Sequence, residues 1–346
     1  MVTITIDEML DLLSFAGAEL VNGNANHGPM AAEALFALGR DDAVLPWVED
    51  YRSRLMDRPT PALAIPSSDW REYLGARERL GDWIELFENE LEDAAWQDVL
   101  RVWAPRLAPA VMAAATHGLI RTAHSARSLS SGDTPQRRYE LAHGLGYWAA
   151  RYYTLPGEPS TTNMGHTPRA ALERVERLHG PDFDGSGAIS EQIKGLGGHP
   201  EFEPVINLAD TGGDVSRFLS NLTETFAGIY LANPKNLIAF VHTVTAPSAL
   251  RMLTPYLDEA DARQAALYAW QACAGIYSWY STVSPRDAGS WETPAEDWDE
   301  IIDRAVAANG AHSIKFTEAC RREYALNPNP VYLAAAWDVS ERVGTI

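Results

Sequence analysis

The stretch Asn309-Gly310-Ala311-His312-Ser313-Ile314-Lys315-Phe316-Thr317-Glu318-Ala319 decides how this chain is read. Taken as helix, it brings His312 and Lys315, three residues apart, to one face. Most of its other residues are apolar or small, so that face is expected to be buried. A lysine is rarely buried without a partner. The chain holds only three lysines, Lys194, Lys235 and Lys315, its basic charge being carried almost wholly by arginine. A buried lysine beside a histidine therefore asks for a chemical reason. Working outward, three further histidines stand in similarly apolar helical surroundings: His27, His117 and His242.

The 346 residues suffice for one large domain or two ordinary ones, and 46% hydrophobic residues allow a sizeable core. A net charge of −19 argues against nucleic acid and anionic membrane surfaces as partners, because neutralising phosphates needs clustered Lys and Arg. Met1 to Leu20 carries Asp7, Glu8, Asp11 and Glu19 and no basic start, so no secretory signal is expected. No apolar run of the ~18 residues needed to span a bilayer is expected either. Two cysteines, Cys273 and Cys320, form no spaced framework, which suits a reducing cytoplasm.

Helical patterning dominates. Ile6 to Leu20 reads as an amphipathic helix, followed by an Asn/Gly turn at Asn22 to Asn26. Pro29 suits the first turn of the run Ala31 to Leu38, with Gly39 near its end. Further helices are expected over Asp41–Leu55, Asp69–Leu91, Ala94–Leu107 (interrupted by Pro105), Pro109–Ser128 and Arg137–Tyr153, with a Pro-rich loop at Asp57 to Pro66. Leu155 to Asn207 is rich in Gly, Pro, Ser and Thr. It is read as a long irregular insertion, either a lid or a plain surface loop. Helices return at Asp214–Leu231, Lys235–Leu257, Asp261–Tyr280, Trp298–Ala325 and Val331–Val343. Convincing alternating strands and fixed repeats are lacking. The expectation is an all-α chain forming one large helical domain over residues 1–346.

Of the nine histidines, His143, His166, His179 and His199 read as exposed or loop residues. His27 precedes Gly28-Pro29 and an Ala-rich run, placing it at a helix N-terminus, where the dipole favours a neutral imidazole. His117 ends an apolar run, and His124, seven residues on, shares its face. His242 lies within Leu237-Ile238-Ala239-Phe240-Val241-His242-Thr243-Val244. A single buried histidine is more often a hydrogen-bonded core residue than a ligand. Several on separate helices are harder to account for that way, since helical bundles build metal sites from inward side chains. Familiar short motifs are absent: no H-E-x-x-H, no paired C-x-x-C, no G-x-G-x-x-G after a strand and no G-x-S-x-G elbow.

Four pieces fall in order along nearly the whole chain: His27-Gly28-Pro29-Met30 with Glu33-Ala34-Leu35 behind it, His117-Gly118-Leu119-Ile120, Val241-His242-Thr243-Val244-Thr245 and His312-Ser313-Ile314-Lys315. With this ordered set the sequence resembles the questin oxidase-like family. The resemblance implies an all-α oxygenase acting on polycyclic aromatic ketones, by Baeyer–Villiger-type or ring-cleaving oxidation of anthraquinone-type substrates. It also implies an Fe(II) centre held by four histidines and a carboxylated lysine. Carried over position by position, His27, His117, His242 and His312 would be the nitrogen ligands and Lys315 the modified lysine. His124 falls on no ligand position of the pattern and is kept as a supporting residue or an alternate. O2 is the implied co-substrate and NADPH a candidate electron source.

The implied chemistry is physically sound. An ammonium cannot ligate a metal, but desolvation lowers a lysine's pKa and frees the amine. The amine can then add CO2 to give a carbamate, an anionic oxygen ligand. Four imidazoles and one such oxygen suit Fe(II) and leave room for O2 or substrate. His312 and Lys315 at i and i+3 resemble the Glu-x-x-His pairs of di-iron bundles.

Tyr268, Trp270, Tyr277, Trp279 and Tyr280 either wall a flat substrate by stacking or fill a core, the latter being favoured for at least half of them. Arg121 either pairs with a carboxylate structurally or holds a substrate phenolate. Glu318 either supports Lys315 or is solvated. Two rival functions stand beside the oxygenase: a metal-free NADPH-dependent Baeyer–Villiger oxidase, and a non-catalytic helical small-molecule-binding protein.

Overall fold

A computed structural model of the protein describes residues 3–160, 164–285 and 291–343. The fold is mostly all-α, as the periodicity predicts, with one two-stranded antiparallel sheet among the described residues. The chain divides into two compact units. The first comprises Met1–Thr154 and Met252–Asp258, the second Leu155–Arg251 and Glu259–Ile346. Leu155, where the composition shifts, is also where the second unit begins.

In the first unit, Thr5 and Glu8 form a reciprocal capping box that starts the helix Ile6–Leu13. The expected helix to Leu20 stops there. Ala16–Leu20 is instead a strand paired with Leu55–Asp57. The cause is tertiary: Gly17 lies where a Cβ would meet the Asp57 carbonyl at 3.1 Å, and the Asn24 and Ala18 carbonyls close the following turn. Helices Gly28–Ala37, Asp41–Tyr51, Leu80–Asp93 and Trp96–Leu107 follow. The helix expected from Asp69 begins only at Leu80, because Gly75 at φ +77° breaks it into two 3-10 turns. Trp70, Trp83, Phe87 and Trp103 pack edge-to-face into one cluster.

The helices His117–Ser131 and Pro135–Ala150 lie unusually close. A Cβ on Gly118 would sit 2.7 Å from the Trp148 backbone, and one on Gly144 would sit 2.9 Å from that of Thr122. Only glycine permits this approach. The helix expected over Pro109–Ser128 does not form before His117. The Trp148 indole donates to the Ala110 carbonyl at 2.8 Å, and the chain then passes through positive φ at Ala114, Ala115 and Thr116.

In the second unit the helices are Val215–Ala232, Leu237–Leu253, Glu259–Tyr280, Trp298–Ala307, Ala311–Leu326 and Pro330–Arg342. The run expected as one helix over Trp298–Ala325 is two, divided at Asn309 (φ +58°) and Gly310. The irregular segment 155–207 contains the short helices Pro168–Leu172 and Ile189–Gln192 and the 3-10 stretches Ile193–Gly198 and Pro200–Asn207. It is tied to Glu259–Tyr280: Trp270 donates to the Val205 carbonyl at 2.9 Å, and Gln271 to that of Pro156 at 2.8 Å. Tyr268, Trp270, Tyr277 and Tyr280 are buried and fill this unit's interior, leaving Trp279 half-buried. One correction concerns apolar length. Leu237–Tyr256 is long and apolar enough, at mean hydropathy 1.2, to cross a membrane, although 72% of its most apolar window is buried inside the protein, the position of a core helix.

Candidate functional site

In the first unit, His27 is the N-cap of Gly28–Ala37, and its backbone N–H donates to the Tyr51 hydroxyl at 2.8 Å. Burial pushes that phenol up to about 12, so Tyr51 keeps its own proton while accepting. The His27 and His117 Nε2 atoms are 2.6 Å apart, with ring centroids at 4.6 Å. His117 Nδ1 lies 2.7 Å from the Ala114 carbonyl. A carbonyl only accepts, so Nδ1 carries the proton and Nε2 the lone pair. Two imidazole nitrogens on one cation, each at about 2.1 Å and near a right angle, would be about 3 Å apart. The observed approach suits either such a pair or a short bond donated by His27.

The Ala114 carbonyl reaches His117 because the chain turns left-handed: φ is 50° at Ala114, 54° at Ala115 and 71° at Thr116. Each such residue costs roughly 1–2 kcal/mol, and β-branched Thr116 is the least suited of the three. Thr116 Oγ1 is also buried without a hydrogen-bond partner. Backbone strain of this kind gathers where function holds it in place.

Ion pairs brace the histidine helices of this unit. His124 Nδ1 meets Glu33 at 2.6 Å, and Arg127 Nε donates to the same carboxylate at 2.8 Å. Burial alone would raise Glu33; Arg127's charge and the bonds from His124 and Arg127 outweigh it and hold the carboxyl at about 2. Arg121 clasps Glu140 through two bonds of 2.6 and 2.8 Å, the structural alternative foreseen for it. His143, expected in an exposed or loop setting, is instead buried within Pro135–Ala150. Burial, then Arg121 and Arg58, push its imidazole well below its usual range.

In the second unit, His242 Nδ1 lies 2.6 Å from the Ile238 carbonyl one turn earlier, which again leaves the lone pair on Nε2. Burial, then the Lys315 charge, push this imidazole down to about 3. The rings of His242 and His312 meet edge-on at 5.5 Å. Lys315 is buried, as its apolar setting predicts, and desolvation lowers its amine to about 7. Glu318 is not solvated: Arg322 holds it at 3.0 Å.

The structure thus pairs His27 with His117, and gathers His242, His312 and Lys315. His124 is turned to Glu33. Sequence reasoning missed Tyr51, Glu140 and the Ala114 carbonyl. Tyr51 and Glu140 are ordinary residues far along the chain from their partners, and a backbone carbonyl leaves no signature. The donor chemistry fits a metal: His117 and His242 each keep Nε2 as the lone-pair nitrogen, and burial lowers the Lys315 amine to about 7. No curated protein matches the chain. A family model described as Questin oxidase-like matches residues 25–320.

Proposed function

The chain belongs to the questin oxidase-like family, and from that premise we propose that it is an Fe(II)-dependent oxygenase of polycyclic aromatic, quinone-type substrates. The family's name marks an oxidoreductase and suggests an aromatic substrate. The proposed reaction is O2-dependent oxidation at a carbon beside a carbonyl, of Baeyer–Villiger or ring-cleaving type, with NADPH as a candidate electron source. The proposed ligands are His27, His117, His242, His312 and Lys315 as its carbamate. The single-domain organisation over residues 1–346 and a cytoplasmic setting belong to the same proposal.

The observation that carries this reading is Lys315. Its amine is buried one helical turn from His312 and lowered to about 7, so a large neutral fraction exists at physiological pH. The amine lone pair attacks the carbon of CO2, an N–C bond forms, and one N–H proton leaves to solvent. The product is a carboxylate-like oxygen in a place where an ammonium is strongly disfavoured. His117 and His242 support the reading equally, because each has its Nδ1 proton engaged by a carbonyl and so offers Nε2 as a donor. Bound iron would supply the one-electron chemistry that lets O2 react with a closed-shell organic molecule.

Oxygen uptake tests this. With a hydroxyanthraquinone present, protein reconstituted with iron should consume O2, and chelator-stripped protein should not. Full uptake by metal-free protein supplied with NADPH would replace this reading with a metal-free oxidase. No uptake with any aromatic ketone would favour a binding protein.

A further inference from the structure

We infer that the left-handed turn Ala114-Ala115-Thr116 is a positioning device for His117, retained at the expense of fold stability. The carbonyl that accepts from its ring, that of Ala114, is three residues before His117, and the His117 backbone N–H donates to the same carbonyl at 3.3 Å. One oxygen therefore gathers both the backbone and the ring of His117. In an uninterrupted right-handed helix, the carbonyl three residues back is committed to the helical ladder along the axis. Here three consecutive positive φ values swing it onto the imidazole. Glycine at these positions would relax the strain, yet the chain holds two alanines and a threonine.

Thr116 makes the case independently. A threonine preceding a helix ordinarily caps it from an extended backbone, its hydroxyl accepting a bond from the first turn. Thr116 is in the left-handed region, makes no such bond, and leaves its hydroxyl buried and unpartnered. Two separate costs thus converge on the residue before His117. On the other side, Gly118 locks the helix start against Trp148, so the turn cannot relax by sliding the helix. The turn and the glycine together hold one imidazole in one tautomer and one direction.

This inference needs only that His117 be held; its purpose rests on the proposed metal reading. The test is the double variant Ala115→Gly/Thr116→Gly in the full-length protein without metal. Two readouts are taken: thermal melting, and nitrogen NMR of histidine-labelled protein, in which the two neutral tautomers resonate apart and His117 is assigned by its own deletion. The expected result is a melting temperature raised by several degrees, together with conversion of the His117 signal from the Nδ1-protonated form to a tautomer mixture, because glycine reaches both signs of φ and frees the Ala114 carbonyl to swing off the imidazole while the helix start stays in place. A lowered melting temperature would overturn the strain, and an unchanged His117 signal would overturn the positioning. Ala115→Gly alone, a gentler change, should show both effects in smaller measure. Iron affinity of the same variants separates the two ideas: weaker binding by tenfold or more is expected. Unchanged affinity alongside both expected shifts would keep the turn and remove His117 from the ligand set.

Discussion

His117 and His242 arrive at the same chemical state by different routes. Each is buried, and each offers its Nδ1 proton to a backbone carbonyl, at 2.7 Å to Ala114 and 2.6 Å to Ile238. At His242 the acceptor is one turn back within the helix Leu237–Leu253, and no residue from Ile238 to His242 has a positive φ. The cost there lies in side-chain electrostatics: burial, and after it the charge of the desolvated Lys315, lowers His242. At His117 the cost lies in three left-handed residues. A fixed donor can thus be maintained by backbone strain or by a desolvated charge, and the two respond to different perturbations.

The largest effect is expected on the electrostatic side. Between about 7 and 10.5, folded Lys315 binds fewer protons than unfolded Lys315, so metal-free protein in CO2-free buffer should grow more stable as pH rises through that window. Below 7 the full penalty applies, at most about 5 kcal/mol. Denaturant melts at pH 7 and 9 should show the rise in the parent chain and a flattened profile in Lys315→Met. A profile equally steep in both would assign the cost elsewhere.

The next effect lies on the strained side, where the charged group stabilises the folded state instead of burdening it, although stability again rises with pH. Glu33, held at about 2 against an ordinary 4.5, contributes stability that is fully present above pH 4.5 and lost as pH falls toward 2. That is about 3 kcal/mol. Glu33→Gln should remove this acid limb and loosen His124 and Arg127, which chemical denaturation from pH 6 to 3 would register. Smaller again is Gly118→Ala, whose new methyl meets the Trp148 backbone. Overpacking of this kind costs about 1–3 kcal/mol. A variant as stable as the parent would show that the helix pair can part, and would weaken the argument that His117 cannot shift.

The electrostatic route was legible in the sequence. The apolar run around Lys315, the rarity of lysine in this chain and the regular helix through His242 all announce buried donors, and both side chains are buried where expected. The strained route was not. Ala110 to Thr116 has nearly ideal helix-forming composition, and only Trp148, reaching from the next helix to the Ala110 carbonyl, shows why it fails to form one. The strand at Ala16–Leu20 escaped for the same reason, its partner Leu55–Asp57 being distant in sequence. His143 lies in the apolar run Leu141 to Trp148, a setting that already pointed inward and was passed over, and the close helix approach at Gly144 completes its burial. At Ala110 to Thr116 and Ala16–Leu20, local propensity was overruled by contacts that no local pattern encodes.

The central claim is that Lys315 ligates iron as a carbamate, and iron stoichiometry in Lys315 variants tests it most directly. Protein reconstituted with Fe(II) and bicarbonate should carry close to one iron per chain. Lys315→Ala should carry almost none, and Lys315→Glu, which supplies a carboxylate of its own, should recover a substantial part without bicarbonate. Full iron occupancy in Lys315→Ala would contradict the account.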